Sequence, residues 1–557
     1  MRETTSDIIV PERPAQTRPR PSAGSARHAV LLACLALPWL LASSPGPSSH
    51  VVPWLASAVL ALLAYLLAVP ASPSRRQLLL VAGAVAFVVL RPSAGVLDRA
   101  AFAGAAGVIL LAHGVARGRG PAGASLWPVI AWAWLLPALV SSVIALLQYF
   151  DLAASLSPWV YAAKAGEAMA NLRQPNQLAS LTTIGLAALL WLASREGARP
   201  FRWLPAVLLL AAANAASASR TGLLQWVLLL ALVALWRGPN RGRNLFLCGA
   251  ALAAYGLASL LLPVLVEWAT GVPAKTLLGR MSTELGCSSR KVLWGNVLQL
   301  IAERPWRGWG WGELDYAHYM HLYGNGPRFC DILDNAHNLP LHLAVELGLP
   351  FALLATGLVV ALLLAARPWH APDPQRQLPW AVLMVLGTHS LLEYPLWYGP
   401  FQIALGLALG LLAAQAGDAP PRPVALPIRR AVFVAGLAMA GYAGWDYARV
   451  SQLYIEAEQR LSWWRDDTQG HAQRSWLFAG QARFAVLTLT PLTRENARWY
   501  DETAQALLHY SPEPRIIERA IEAATMQKRP DEALLHLARY RAAFPEDYRK
   551  WQAAQNR

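Results

Sequence analysis

The sequence predicts an all-α, polytopic bundle of about twelve or thirteen transmembrane helices, and three observations predict it. Of the 557 residues, 55% are hydrophobic and only 15% are charged, whereas a soluble domain carries about a quarter charged residues. The apolar residues gather in long uncharged runs: residues 51–70, VVPWLASAVLALLAYLLAVP, hold no charge over about the length of helix that crosses a bilayer core. The formal net charge of +15 belongs almost wholly to the first 450 residues, because from Ser451 onward 15 Lys and Arg face 14 Asp and Glu.

The positive charge falls in short breaks between apolar runs: Arg75 and Arg76, Arg117 and Arg119, Arg195 to Arg202, Arg237 to Arg243, Arg367 and Arg376, and Arg422 to Arg430. Each break is separated from the next by a pair of apolar segments, the pattern expected when all lie on the cytoplasmic side. No nucleic-acid-binding motif accompanies the charge, so the partner it implies is the membrane and not RNA or DNA. Residues 1–27, with five Arg among Pro and Ser, read as a disordered cytoplasmic arm. A cleaved signal peptide is the weaker rival, because the apolar stretch starts late and many more follow.

Spans are expected near 28–46, 51–70, 77–92, 99–116, 126–149, 178–194, 203–218, 221–236, 245–266, 340–366, 379–393, 401–416 and 430–446. The stretch 203–236 reads equally as a bent hairpin or re-entrant pair. This layout puts three hydrophilic stretches on the far, periplasmic side: 150–177, a large loop at 267–339, and the tail from 447. Domain limits follow: an arm at 1–27, a membrane domain at 28–446 that includes the loop, and a periplasmic helical domain at 447–557. In the tail, residues 512–545 show helix-period apolar positions broken by Arg-Pro-Asp, similar to a tetratricopeptide helix pair, with a poorer pair at 471–510. Cys287 and Cys330 both fall in the loop. In an oxidising compartment they can pair, worth about 3–4 kcal/mol by the chain-entropy argument; otherwise they are two free thiols.

Four polar clusters are not explained by spanning a membrane, where ionisable groups are costly and tend to mark a site. Asn171-Leu-Arg173-Gln174-Pro-Asn176-Gln177 offers a cation and several amides, suited to phosphate or sugar hydroxyls, or else a capped turn. Ser217-Ala-Ser219-Arg220-Thr221 sets an Arg among hydroxyls on the side where the charge rule disfavours it. Arg280 and Ser288-Ser289-Arg290-Lys291-Val-Leu-Trp294 lead to GWGWG at 308–312. Arg290 and Trp294 share a helical face, an Arg fork suits phosphate, and a Trp ring suits a sugar face. The glycines permit close backbone approach, but their spacing is not that of a nucleotide loop, and no cofactor is expected. Asp334-Asn335-Ala-His337-Asn338 opens a span and is matched by His389, Glu393, Tyr394, Trp397 and Tyr398. A zinc site is not expected, since His337 and His342 lack a second close pair of ligands.

The segments NLRQPNQLAS, SASRTG, SSRKVLWGNVLQLIAERPWRGWGWG, DNAHNLPLHLAVELGLP and HSLLEYPLWYGP, in this order over roughly residues 130–420, resemble the bacterial O-antigen ligase and polymerase superfamily. Within it they look most like the pilin-type protein O-oligosaccharyltransferases. The resemblance implies an inner-membrane glycosyltransferase that moves a glycan from undecaprenyl diphosphate to Ser or Thr of a periplasmic, pilin-like protein. It implies catalytic roles for His337 and for Tyr398 or Tyr394, and diphosphate binding by Arg220, Arg290 and, less directly, Arg280. The sequence adds Arg173, Gln174, Asn176, Gln177, Trp294, Asn335, Asn338, His389 and Glu393 as candidate substrate contacts.

The chemistry agrees with that assignment. An imidazole can take the proton from an attacking hydroxyl, and arginines can stabilise the departing diphosphate in place of a metal. His337 acts as that base or only orients the acceptor. The rival acceptors are a lipid A core, as for an O-antigen ligase, and a second lipid-linked glycan, as for a polymerase. A transporter would gather its charges near the bilayer midplane, and a scaffold would not need them.

Overall fold

In the computed structural model of the chain the described residues are 23–42, 46–91, 95–196, 200–276, 279, 286–324, 326–415 and 422–555. The expected arm lies outside them up to residue 22, and the first helix, α1 (Ala23–Ala36), begins within the stretch assigned to the arm. The membrane part continues with α2 (Val51–Leu67), α3 (Arg75–Val89), α4 (Val96–Arg117), α5 (Trp127–Tyr149), α6 (Pro175–Glu196), α7 (Leu204–Ala216), α8 (Arg220–Leu235) and α9 (Arg241–Thr270). Two helices follow in the loop, α10 (Arg290–Glu303) and α11 (Leu314–Met320), then α12 (Leu339–Leu347), α13 (Leu349–Ala366), α14 (Pro374–Ser390), α15 (Gly399–Gln415) and α16 (Leu426–Ser451). Among the described residues the only β-pairing is two isolated bridges. The chain is an all-α, multi-pass membrane protein.

Each expected span coincides with helix where its residues are described, and among the described residues five helices are long and apolar enough to cross a membrane: Val96–Arg117, Trp127–Tyr149, Pro175–Arg195, Arg241–Thr270 and Leu349–His370. The stretch 340–366 departs from expectation. It is broken into α12 and α13 at Gly348, whose φ of +90° no L side chain adopts readily, and Pro350 starts the second helix. The hairpin at 203–236 consists of α7 and α8, of 13 and 16 residues, both shorter than about 20 residues that cross the hydrocarbon core alone.

Packing follows side-chain size. α6 is buried nearly all round, with Leu178, Leu181, Ile184 and Leu189 sealed. α13, equally apolar, leaves Leu353 and Leu354 exposed, as a lipid-facing helix does. α15 lies along α4 because Gly406 and Gly410 admit its neighbour's backbone: a Cβ there would meet the Ile109 and His113 carbonyl oxygens at 2.4 and 2.6 Å. This is the small-residue spacing of closely crossed membrane helices.

The Arg-bearing breaks collect at one end of the bundle, where Val69 N–H donates to Arg119 O (2.8 Å), Ser72 N–H to Arg422 O (2.9 Å) and Arg243 to Ala193 O (2.9 Å). The polar clusters collect at the other, hereafter the His337 end. There the GWGWG segment lies against α12, with Trp309 and Gly310 N–H donating to Val345 and Glu346 carbonyls (2.9 and 3.0 Å). Gly308 is required by this contact, since its Cβ would stand 2.3 Å from Glu346 O.

Beyond α16 come α17 (Ser462–Arg465), α18 (Thr468–Gln473), α19 (Ala479–Leu489), α20 (Ala497–Leu508), α21 (Pro514–Met526), α22 (Pro530–Ala543) and α23 (Pro545–Gln555). The core of α19–α23 is completed by Tyr319 from α11, whose hydroxyl hydrogen-bonds His536 Nδ1 at 2.8 Å. His509 pairs with Glu313 at 2.7 Å, so these helices brace the loop that leads to His337.

Cys287 and Cys330 are joined as a disulfide with Cα atoms 5.5 Å apart, across 43 positions of sequence. A Cys287→Ser variant is expected to lose about 3–4 kcal/mol of constraint on this loop, read as faster limited proteolysis between residues 286 and 330. An unchanged cleavage rate would show that the loop is held by its other contacts.

Candidate active site

Of the helices that begin at the His337 end, four are started by a polar side chain. The Gln174 amide oxygen accepts from Gln177 N–H (2.7 Å) as α6 begins. The Ser219 hydroxyl accepts from Gly222 N–H (3.0 Å) to cap α8, whose first residue is Arg220. Ser289 caps α10, whose first residue is Arg290. Asn338 accepts from Leu341 N–H (3.1 Å) to cap α12 and donates to Leu391 O (3.0 Å), which ties it to the end of α14. Helix amino ends carry partial positive charge and unsatisfied N–H groups, so their convergence favours an anion.

Glu393 is the hub. One carboxylate oxygen accepts from His337 Nδ1 at 2.8 Å; the other accepts from Arg290 Nη2 at 2.6 Å and from the Asn176 amide at 3.1 Å. Asn176 in turn accepts the Ser219 hydroxyl at 2.6 Å, which links α8 to the same group. The Glu393 side chain is 9% exposed. Burial pushes its carboxyl up, but the hydrogen bond and charge of His337, then the charge of Arg290, outweigh this and hold it below the ordinary carboxylate value. It is therefore ionised, and because it holds Nδ1, Nε2 is the ring nitrogen left to face an acceptor hydroxyl.

The backbone at His337 is in the left-handed region, φ +49°, which a non-glycine residue adopts at a cost of about 1–3 kcal/mol. The Asn335 side chain accepts the His337 N–H (2.9 Å) and the Trp294 indole donates to Ala336 O (3.1 Å), which together fix the turn. The Tyr394 ring stands edge-on to His337 at 5.0 Å and stacks with Tyr398 at 6.1 Å. Tyr398 also bonds Gln177, and burial pushes both phenols up, so both stay neutral hydroxyls. A shallow surface recess opens beside Glu393, lined by Asn335, Leu339, Tyr394 and Trp397.

The structure thus brings His337, Glu393, Arg290, Asn176, Gln177, Tyr394, Tyr398, Asn335 and Asn338 together, with Arg220 following Ser219. Other expected contacts sit elsewhere. His389 is 1% exposed and bonds Ser180 at 2.8 Å, inside a polar network with Gln225, so it packs behind the site and does not reach a substrate. Trp294 spends its indole N–H on the His337 turn, and Gln174 is a helix cap. The Arg173 guanidinium lies 4.7 Å over the Tyr161 ring. Arg280 lies outside the described residues. The sequence reading placed Glu393 among substrate contacts and missed its role as hub. It also missed that Ser219-Arg220 and Ser289-Arg290 are the same device, a capping Ser followed by Arg at the first helical position, a repetition visible in the sequence.

Each segment that builds this site matches a known family. Residues 168–193 match a protein glycosylation ligase family, residues 204–356 an O-antigen ligase family, and residues 377–557 the carboxyl-terminal part of a virulence-factor membrane-bound polymerase family. Two relatives come from Acinetobacter baylyi. A general O-oligosaccharyltransferase is 26% identical over 321 residues, 56% of this chain and 55% of its own. A ComP-specific O-oligosaccharyltransferase is 24% identical over 288 residues, 51% of each chain. The chain spans about half the length of these curated relatives. Asn176, Arg290 with His337, and Glu393 come one from each matched segment, and by these matches the chain is similar to the O-antigen ligases and to the O-oligosaccharyltransferases.

Proposed function

We propose that this protein is an O-oligosaccharyltransferase of the bacterial inner membrane, transferring a glycan from undecaprenyl diphosphate to Ser or Thr of a pilin-like protein at the periplasmic face. The observation that carries the reading is the Glu393 carboxylate holding His337 and Arg290 at 2.8 and 2.6 Å where four helices begin. In the reaction the acceptor oxygen forms a bond to the anomeric carbon, and the bond from that carbon to the diphosphate oxygen breaks, with inversion. The hydroxyl proton passes to His337 Nε2, and Glu393 stabilises the imidazolium. The leaving diphosphate takes the electron pair, and its charge is met by Arg290, Arg220 and the helix amino ends, so no metal is required. Residues 28–446 form the transferase domain, and the helices beyond 447 stand on the acceptor side.

Purified protein incubated with undecaprenyl-diphosphate oligosaccharide and a pilin, with chelator present, is expected to yield glycosylated pilin by mass spectrometry. Glycan found only on a lipid A core offered in parallel would reassign the protein as an O-antigen ligase. Loss of product in chelator would overturn the metal-free mechanism.

A further inference from the structure

The tryptophans left most exposed by the fold are not scattered. Trp159, Trp268, Trp306, Trp463 and Trp476 are 61–86% exposed, and all five belong to segments at the His337 end: before α6, in the last turn of α9, between α10 and α11, and in the first stretch after α16. Trp463 and Trp476 come from the carboxyl-terminal helices, yet they continue the surface of α16. On that helix Val434 and Met439 are bare, as a lipid-facing helix leaves them, and toward its end the Tyr442 ring packs at a tilt against Trp445 and Trp476 (6.0 and 6.3 Å). Trp445 then meets Trp464, whose neighbour is Trp463. The apolar face of α16 thus leads through these ring contacts to Trp463 and Trp476, beside which the charged Arg465, Asp466, Asp467 and Arg474 are also exposed.

We propose that residues Leu461–Trp476 lie in the headgroup layer of the bilayer, as part of a tryptophan girdle that surrounds the His337 end. The ring chemistry fits this one occupant, because an indole has an apolar body and a polar N–H and is enriched where acyl chains meet headgroups. A water-exposed surface gives no return for leaving Leu461, Trp463 and Trp476 bare within sixteen residues of one another. The consequence is mechanical. The carboxyl-terminal helices are held to the membrane by their first segment and to the loop by Tyr319 and Glu313, so they stand over the bilayer beside the site. The inference rests on the fold and is independent of which acceptor is used.

The test uses the full chain in phospholipid nanodiscs with a fluorophore on a Trp463→Cys variant and, separately, on Leu461→Cys, both at exposed positions. Cys34 and Cys248 are buried and the other pair is bonded, so the introduced thiol is the reactive one. A label on Lys528→Cys, in the exposed turn between α21 and α22, is the reference. Headgroup-nitroxide lipid is expected to quench the 463 and 461 labels several-fold more than the reference, and aqueous iodide to quench them several-fold less. Equal quenching of all labels by iodide would overturn the proposal, as would labels shielded from iodide but untouched by nitroxide lipid, which would mean that protein covers the patch.

Discussion

His337→Ala is expected to lower glycan transfer about 10²–10⁴-fold, the usual worth of a positioned general base, with donor binding retained. The argument is geometric. Nδ1 is committed to Glu393 at 2.8 Å, the turn is held from both sides by Asn335 and Trp294, and the backbone pays a left-handed conformation to aim the ring. A His337→Gln variant separates the two roles left open by the sequence. Glutamine can keep a hydrogen bond to the acceptor but cannot take its proton, so a true base predicts that Gln is as poor as Ala. Transfer by the Gln variant near wild-type level would make His337 an orienting residue. Undiminished transfer by the Ala variant would remove it from the mechanism, and single-turnover rates with purified protein decide between these outcomes.

The bundle was legible because hydropathy reports on lipid, and the thirteen apolar stretches all became helix. The break at Gly348 was less so: the sequence Gly-Leu-Pro at 348–350 carries the signal, but the flanking leucines and alanines keep the hydropathy of 340–366 high. In the site, residue types were readable and partners were not. NLRQPNQ announces hydrogen bonding, yet nothing local says that Gln174 accepts from Gln177 N–H to cap its own helix while Asn176 reaches Glu393, 217 positions away. For the same reason His389 and Glu393, one helical turn apart, were assigned alike. The chain ends its helix between them, so that His389 is left inside the bundle against Ser180 and Glu393 emerges at its end. Sequence spacing fixes neighbours on a helix; it does not say which helix ends will meet.

The Glu393–Arg290 pair gives the second large effect, and it is one of coupling. Glu393→Gln leaves Arg290 with an uncompensated charge in a mostly buried place and His337 without its acceptor, and breaking a buried pair from one side costs about 3–5 kcal/mol where burial is complete. Arg290 is a quarter exposed, so water recovers part of that. Both Glu393→Gln and Arg290→Gln are expected to lower transfer about 10²-fold or more through lost charge stabilisation, and the double variant is expected to fall short of the product of the two, because the second change removes a partner already lost. The pH dependence carries its own sign. The folded carboxyl of Glu393 titrates below its ordinary 4.5, so the unfolded chain binds the proton first and the stabilisation is fully present above that value. It is lost as pH falls through the lowered folded value. The difference in thermal midpoint between wild type and Glu393→Gln in nanodiscs should therefore be full at neutral pH and should shrink only below pH 4.5. A difference that stays constant through that range would mean that shape, and not the charge on Glu393, holds His337 and Arg290 in place. In that case the arginine would be free to meet the diphosphate without first giving up its carboxylate.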